Sequence, residues 1–270
     1  DTQIDLFVLK DFALRHIIPA TFQVGLNKNA KGIFFRKSTM KVANWDFILT
    51  GFVAADDFID INIAADNIDI SKVVSLLPEK QKKALAVFDA SGLLKFSWST
   101  KGRPTHTEDP HYEISWSLKN AQIKNRKSNL KLDKLSFEGA YTNGQANSPE
   151  TSALSVRNFT SRLASSDYSG SLSVKNFKNP SGELLFRGRL LFSDLREFLN
   201  LKNVSRADGS VDLNLKFSGN PSIKKTFALR DLFTLNSSSE VGFNSAALKI
   251  DNRNIDISDA NGKVSLKGEA

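Results

Sequence analysis

Three histidines set a narrow limit on acid–base chemistry in this chain. Two of them, His106 and His111, fall in Thr105-His106-Thr107-Glu108-Asp109-Pro110-His111, a run of imidazoles and carboxylates that a transition metal could accept as ligands. Pro104 and Pro110 mark the run as a loop between strands, and no second cluster supplies a third ligand, so a polar loop is expected. His16 stands alone in Leu14-Arg15-His16-Ile17-Ile18 and reads as structural. Asp56, Asp57 and Asp60 offer paired carboxylates, the groups that cleave glycosidic bonds. They alternate with apolar residues as the solvated face of a strand would. With no cysteine, thiolate nucleophiles, disulfides and cysteine-ligated metals are excluded. Nucleophile elbows, phosphate-binding glycine loops and zinc-protease histidine pairs do not occur. The residues therefore assign no catalytic group, no metal site and no cofactor.

What dominates instead is period two, the spacing of strands with one buried face. Ile59, Ile61 and Ile63 alternate with Asp60 and Asn62. Phe96 and Trp98 follow Leu94 in one parity, and Ile114, Trp116 and Leu118 share another run. Further on come Leu135 with Phe137, Leu172 with Val174, and Leu184 with Phe186. Leu213, Leu215 and Phe217 then alternate with Asn214 and Lys216. One-sided strands of this kind suit an antiparallel sheet, because strands buried on both faces read as unbroken apolar runs. Turn signals punctuate them at Asn143-Gly144, Asn179-Pro180, Asp208-Gly209, Gly219-Asn220-Pro221 and Asn261-Gly262. Helical spacing is confined to a helix over 71–88, broken near Pro78 and stopped by Gly92, and a shorter one over 194–199 with Ser193 as N-cap.

The chain has 270 residues, 40% hydrophobic and 24% charged, which is a folded composition. A net charge of +8 and a pI near 9.5 raise the possibility of nucleic acid. The cations are instead spread along the strands, with only Lys80 to Lys83 and Lys124 to Lys131 clustering. A basic solvated surface, with some attraction to anionic lipid head groups, is the better reading, and nucleic acid is not an expected partner. No run of about 18 apolar residues is present to span a bilayer. The sequence starts and stops inside alternating patterns, at Ile4, Leu6 and Val8 and at Val264 and Leu266, as expected of a segment of a longer repetitive protein.

Both helices sit in matching text. Asp69-Ile70-Ser71, an apolar helix and Ser91-Gly92-Leu93-Leu94-Lys95-Phe96 are answered by Leu191-Phe192-Ser193, a helix and Asp208-Gly209-Ser210-Val211-Asp212-Leu213. The two glycines lie 117 residues apart. This divides the chain into an N-terminal β segment (1–54), a first unit (55–170) and a second (171–270), all in one sheet. The text Asp69-Ile70-Ser71…Leu76-Leu77-Pro78…Gly92…Gly102, with Ala121-Gln122-Ile123…Leu135-Ser136-Phe137-Glu138-Gly139-Ala140-Tyr141 and Gly170-Ser171-Leu172-Ser173-Val174, resembles the AsmA-like superfamily and its TamB relatives over roughly residues 55–220. The resemblance implies a long, curled antiparallel sheet forming an apolar trough in the bacterial periplasm. It also implies an inner-membrane tether outside this chain and a part in moving phospholipid during outer-membrane biogenesis.

The expected protein is thus mostly β, a curled β-groove with two short helices, and non-enzymatic. Phe96, Trp98, Ile114, Trp116, Leu118, Phe137, Leu172, Val174, Phe186, Leu213, Leu215 and Phe217 would line the groove and shelter an acyl chain, phospholipid or similar. Alternatives are a structural or adhesive β-repeat scaffold with a closed core, and a carbohydrate-active β-solenoid. The residues name no partner protein.

Overall fold

The computed structural model describes residues 2–4, 7–9, 12–14, 18–23, 25–42, 45–76, 82–83, 85–105, 109–220, 236–253 and 255–268. A short N-terminal set comes first: β1 (Thr2–Ile4), β2 (Phe7–Leu9), β3 (Phe12–Leu14), β4 (Ile18–Gln23) and β5 (Leu26–Asn29). Then follow β6 (Gly32–Val42), β7 (Trp45–Ala54), β8 (Ile59–Asp69), α1 (Ile70–Leu76), β9 (Phe88–Gly102) and β10 (His111–Asn125). Next are β11 (Lys131–Thr142), β12 (Ala153–Leu163), β13 (Ser166–Lys175) and β14 (Ser181–Leu191). The chain closes with α2 (Phe192–Leu199), β15 (Val204–Gly219), β16 (Asn236–Ile250) and β17 (Ile255–Gly268).

From β6 onward each strand pairs antiparallel with its successor, so β6 to β17 form one meander extended at its start by β4 and β1. The path is β1-β4-β6 and then β7 through β17 in chain order, with β5 laid on β6 and β2-β3 a separate hairpin. The outermost strands, β1 and β17, do not meet, so the sheet is open. A mostly β, open antiparallel sheet with two helices is the architecture expected from the alternation. Ten strands, β8 to β17, at about 4.8 Å spacing carry it roughly 43 Å across the strands.

The strands are longer than period-two runs of about six residues suggest: β10 has 15 residues and β15 has 16. The cause is a row of bulges. Asn120, Lys134, Asn158, Ser245 and Asp259 have φ near +50°, and the pairing shifts beside each of them. One extra residue in a strand flips the parity that follows. In β10 the inward residues are therefore Ile114, Trp116 and Leu118, and then Ala121 and Ile123. The bulges also recur: Ser245 and Asp259 each fall 125 residues after Asn120 and Lys134. Gly92 and Gly209 lie inside β9 and β15 at φ of 145° and 75°, not at a helix stop or a hairpin turn. Asn261-Gly262 likewise lies inside β17. A side chain on Gly92 would press within 2.7 Å of the Ala121 methyl, which is fully buried, so this crossing requires glycine.

The helices follow β8 and β14, so both sit along the same rim of the sheet, the one to which the bulged segments lead. α1 covers Ile70–Leu76, and Lys82, Lys83 and Leu85 are helical again before the turn into β9, in keeping with the broken helix expected over 71–88 except that Phe88 already opens β9; Leu77 and Pro78 lie outside the described residues. α2 begins at Phe192 with Leu191 in the N-cap position and no side-chain cap, which corrects the expectation for Ser193. Ser193 lies inside the first turn, its hydroxyl toward the Asp194 carboxylate. Asn200 closes α2 in the left-handed region.

The packed core lies under these helices. Leu118, Ala121 and Leu135 are buried against Ile70, Leu94, Ile123, Phe137 and Phe159. Leu163, Tyr168 and Phe198 form a second buried cluster with Phe88, Leu130, Leu132, Phe186 and Leu190. Asn125 is 1% exposed and donates from Nδ2 to the Phe198 carbonyl at 2.7 Å, tying β10 to α2 across 73 residues. At the opposite rim, Tyr112, Tyr141 and Phe177 form a looser aromatic group with ring centroids 5.6–5.9 Å apart.

Candidate functional site

The pairing register decides which side chains share a face. Trp98 stands opposite Ile114, Phe96 opposite Trp116, and Leu94 opposite Leu118. From there the row runs through Phe137, Leu154 with Val174 and Val156 with Leu172, Leu172 with Leu184, and Phe186 with Leu215 and Leu184 with Phe217. Leu213 stands opposite Gly188 in the same parity. All twelve residues assigned to a groove therefore lie on one face of one sheet. The same face also takes in Ile61 and Ile63 on β8 and Val241 and Phe243 on β16.

The face is apolar but largely unsealed. Among the twelve, only Leu118 (4% exposed) and Phe217 (7%) are buried. Trp98 is 38% exposed, and the remaining nine are half-buried. The whole chain exposes 17616 Å², where a closed globule of 29.9 kDa would expose about 12,000 Å². An open sheet with half-buried apolar side chains along one face contributes to that excess. Leaving it so is unfavourable by roughly 25 cal/mol for each Å² of apolar surface in water, which is a standing drive toward any apolar occupant.

Two cross-strand pairs keep the floor low. Trp116 faces Gly139 on β11, and its indole lies over that glycine so closely that a Cβ there would overlap Cε2 and Cζ2. Tyr168 faces Gly188 on β14 in the same way, with the ring over the space a side chain would fill. The rings lie down on the sheet because their partners have no side chain, an arrangement that rescues glycine in a strand while stacking aromatic surface. Sequence reading placed Trp116 in the groove but missed Gly139 and Gly188; a lone glycine inside an alternating run was the available signal.

The opposite face carries the charge. Lys101 meets Asp60 at 3.3 Å, Lys95 meets Asp66 at 3.4 Å, and Arg189 meets Asp212 at 2.6 Å. Arg103 pairs with Asp56 and lies over the Phe58 ring at 5.6 Å. The Arg103 hydrogen bond holds the Asp56 carboxyl below the usual range, and Arg189 does the same for Asp212. Asp60, Lys101 and His111 fall in one row on neighbouring strands, so a cation separates the carboxylate from the imidazole. His111 donates from Nδ1 to the Gly144 carbonyl at 3.0 Å and sits 3.4 Å from Glu113. These contacts are those of a solvated, ion-paired face. His16, His106 and Glu108 lie outside the described residues. Among the described residues no three His, Asp or Glu side chains come together as a metal site.

Among the described residues of the apolar side, Tyr112 is pushed up to about 12 by burial, with the neighbouring Tyr141 adding to the shift. The Tyr112 phenol stays neutral there and suits an apolar rim.

An open antiparallel sheet with one continuous apolar face, one polar face and a helix-sealed rim defines an open β-groove protein. No family model, curated protein or solved structure matches the chain. Among the described residues no helix is long and apolar enough to cross a membrane.

Proposed function

We propose that this chain is a non-enzymatic lipid-handling module of the bacterial envelope, an AsmA-like groove that shelters acyl chains in the periplasm and contributes to outer-membrane biogenesis. The observation that carries this reading is the half-exposed row of apolar side chains running through successive strands of a sheet that does not close. From Tyr112 to Leu118, β10 offers six residue steps before the bulge, about 20 Å of apolar floor. One leaflet's hydrocarbon is about 15 Å thick, so a tail fits between the two rims. Each methylene moved from water to the floor gains roughly 0.8 kcal/mol when fully covered. The groove works passively: it lowers the cost of carrying a tail through water, and no side chain reacts. A scaffold would need this face sealed, and most of the row stays half-buried instead, with Leu118 and Phe217 the buried members.

The test is lipid uptake by the two faces. Delipidated protein is exposed to vesicles containing a phospholipid with a pyrene-labelled chain, recovered, and examined by native mass spectrometry and fluorescence. Leu215→Asp is expected to abolish uptake, and Asn214→Asp, one residue away on the polar face, to leave it unchanged. No bound lipid in the parent protein, or equal loss in both variants, would refute the groove.

A further inference from the structure

The end of the sheet repeats its middle, register for register. Ile68 pairs with Leu94 in β8–β9, and Leu190 pairs with Val211 in β14–β15, 122 and 117 residues further on. α1 starts at Ile70 and α2 at Phe192, again 122 residues apart. Leu94 opposite Leu118 is answered by Val211 opposite Phe243. The β10–β11 pairs Trp116–Gly139, Leu118–Phe137 and Ile123–Leu132 become Val241–Val264, Phe243–Gly262 and Leu248–Ile257 in β16–β17, every residue shifted by 125. β17 is therefore the counterpart of β11.

The likeness ends at the outer edge. β11 holds β12 there, with Arg157 opposite Glu138 and Val156 opposite Gly139. Among the described residues no strand covers the outer edge of β17. Short edge strands, prolines and inward charges are the usual guards against stray pairing. β1, at the other end of the sheet, has three residues. β17 runs for 14 without a proline, and its inward positions Ile257, Ala260, Gly262 and Val264 carry no charge. Ile257 and Val264 are 44% and 48% exposed. The bulge at Asp259 is matched in β11 at Lys134, and β11 pairs on both sides regardless.

We propose that the outer edge of β17 is a strand-acceptor site, taking an extended polypeptide segment antiparallel as β11 takes β12. Main-chain hydrogen bonds along the edge hold such a strand, and its alternate side chains set the choice. Carrying the β11–β12 register over by 125 residues defines those side chains. Val264 stands at the place of Gly139, so the position of Val156 calls for an apolar residue. Asn158 bulges at φ 54°, so the segment needs Asn, Asp or Gly at that step. Lys263 stands at the place of Glu138, so the position of Arg157 calls for a carboxylate instead. Asp212, two strands inward from Lys263, is already bound by Arg189 at 2.6 Å. The partner is an alternating strand about as long as the 11-residue β12, with a carboxylate just before its bulge residue. The inference rests on the repeat and is independent of what the groove holds.

Two fluorescein-labelled peptides test it: residues Thr151–Ala164, which contain β12, and the same peptide with Arg157→Glu. Each is titrated with the full chain and followed by anisotropy. Both should bind, and exchanging a like-charge pair for an opposite-charge pair should favour the glutamate peptide about fivefold. Lys263→Glu in the chain should reverse that order, whereas Lys175→Glu, four strands away on β13, should leave it unchanged. Hydrogen exchange should show every second amide of β17 protected only in the complex. Binding of neither peptide, an order that Lys263→Glu leaves as it was, or equal binding of a scrambled peptide overturns the site. A sedimenting dimer that excludes both peptides also overturns it and gives the edge to a second copy of the chain. Lipid uptake is read separately, and its failure would leave this assignment standing.

Discussion

Gly139 offers the sharpest perturbation, because it is the floor on which Trp116 lies. In Gly139→Ala a single methyl is placed inside the indole envelope, overlapping Cε2, Nε1 and Cζ2. Backbone is not the obstacle: the clash is with the far end of a side chain, and the groove above it is open. The ring therefore lifts off the sheet. Overpacking in a sealed core costs about 1–3 kcal/mol; with an open side available, the cost here should lie near about 1 kcal/mol. The functional effect should be larger. A raised indole occupies the width of one strand, about 4.8 Å, and displaces about three methylenes of a tail, or about 2.4 kcal/mol. That is roughly fiftyfold in affinity. The assay is pyrene-lipid uptake, read with Trp116 as the sole tryptophan after Trp45→Phe and Trp98→Phe. Gly139→Ala should red-shift the Trp116 emission and weaken uptake, and Gly139→Ala with Trp116→Ala should restore much of it. If the alanine variant shifts the emission yet binds lipid as the parent does, the tail does not cross Trp116 and this account of the floor is wrong.

Two further outcomes follow from the contacts. Asn125→Ala strands the buried Phe198 carbonyl and should cost about 1–3 kcal/mol in denaturant unfolding, with α2 the first segment opened to protease. Acid should loosen the far rim: Glu150 is held down at about 2 by its hydrogen bond to Lys178 against 4.5 unfolded, so its contribution is complete above about pH 4.5 and lost as pH falls toward 2. Asp89, Asp167 and Asp212 are lowered by arginine partners in the same sense. Thermal midpoints should therefore fall between pH 5 and 2, and Lys178→Gln should raise the midpoint of the Glu150 titration followed by NMR toward the ordinary carboxylate range.

Alternation of apolar and polar residues was enough to read the sheet, its antiparallel sense and its inner face. In β10, Ile114, Trp116 and Leu118 face one way because side chains in a strand repeat every second residue, whatever the partner strand. The helix over α2 was legible too, within two residues of its start. Strand length was not. Leu118 and Ala121 are three apart, and only the pairing of β10 with β9 and β11 shows that Asn120 bulges out and lets the strand run on. Asp208-Gly209 and Asn261-Gly262 mislead for the same reason, since a bulge and a hairpin both recruit residues that accept positive φ.

What the linear order of residues determines here is local: which atoms are apolar, how often they recur, and where the backbone can bend. Whether the apolar face closes on itself is not local. It depends on fourteen strands adding side by side without β1 meeting β17, and on both helices landing along one rim. The bond from Asn125 to the Phe198 carbonyl is equally a product of assembly, because the two are 73 residues apart in sequence until β10 and α2 pack. Burial and charge density arise from neighbours in space, and those exist only once the chain has folded.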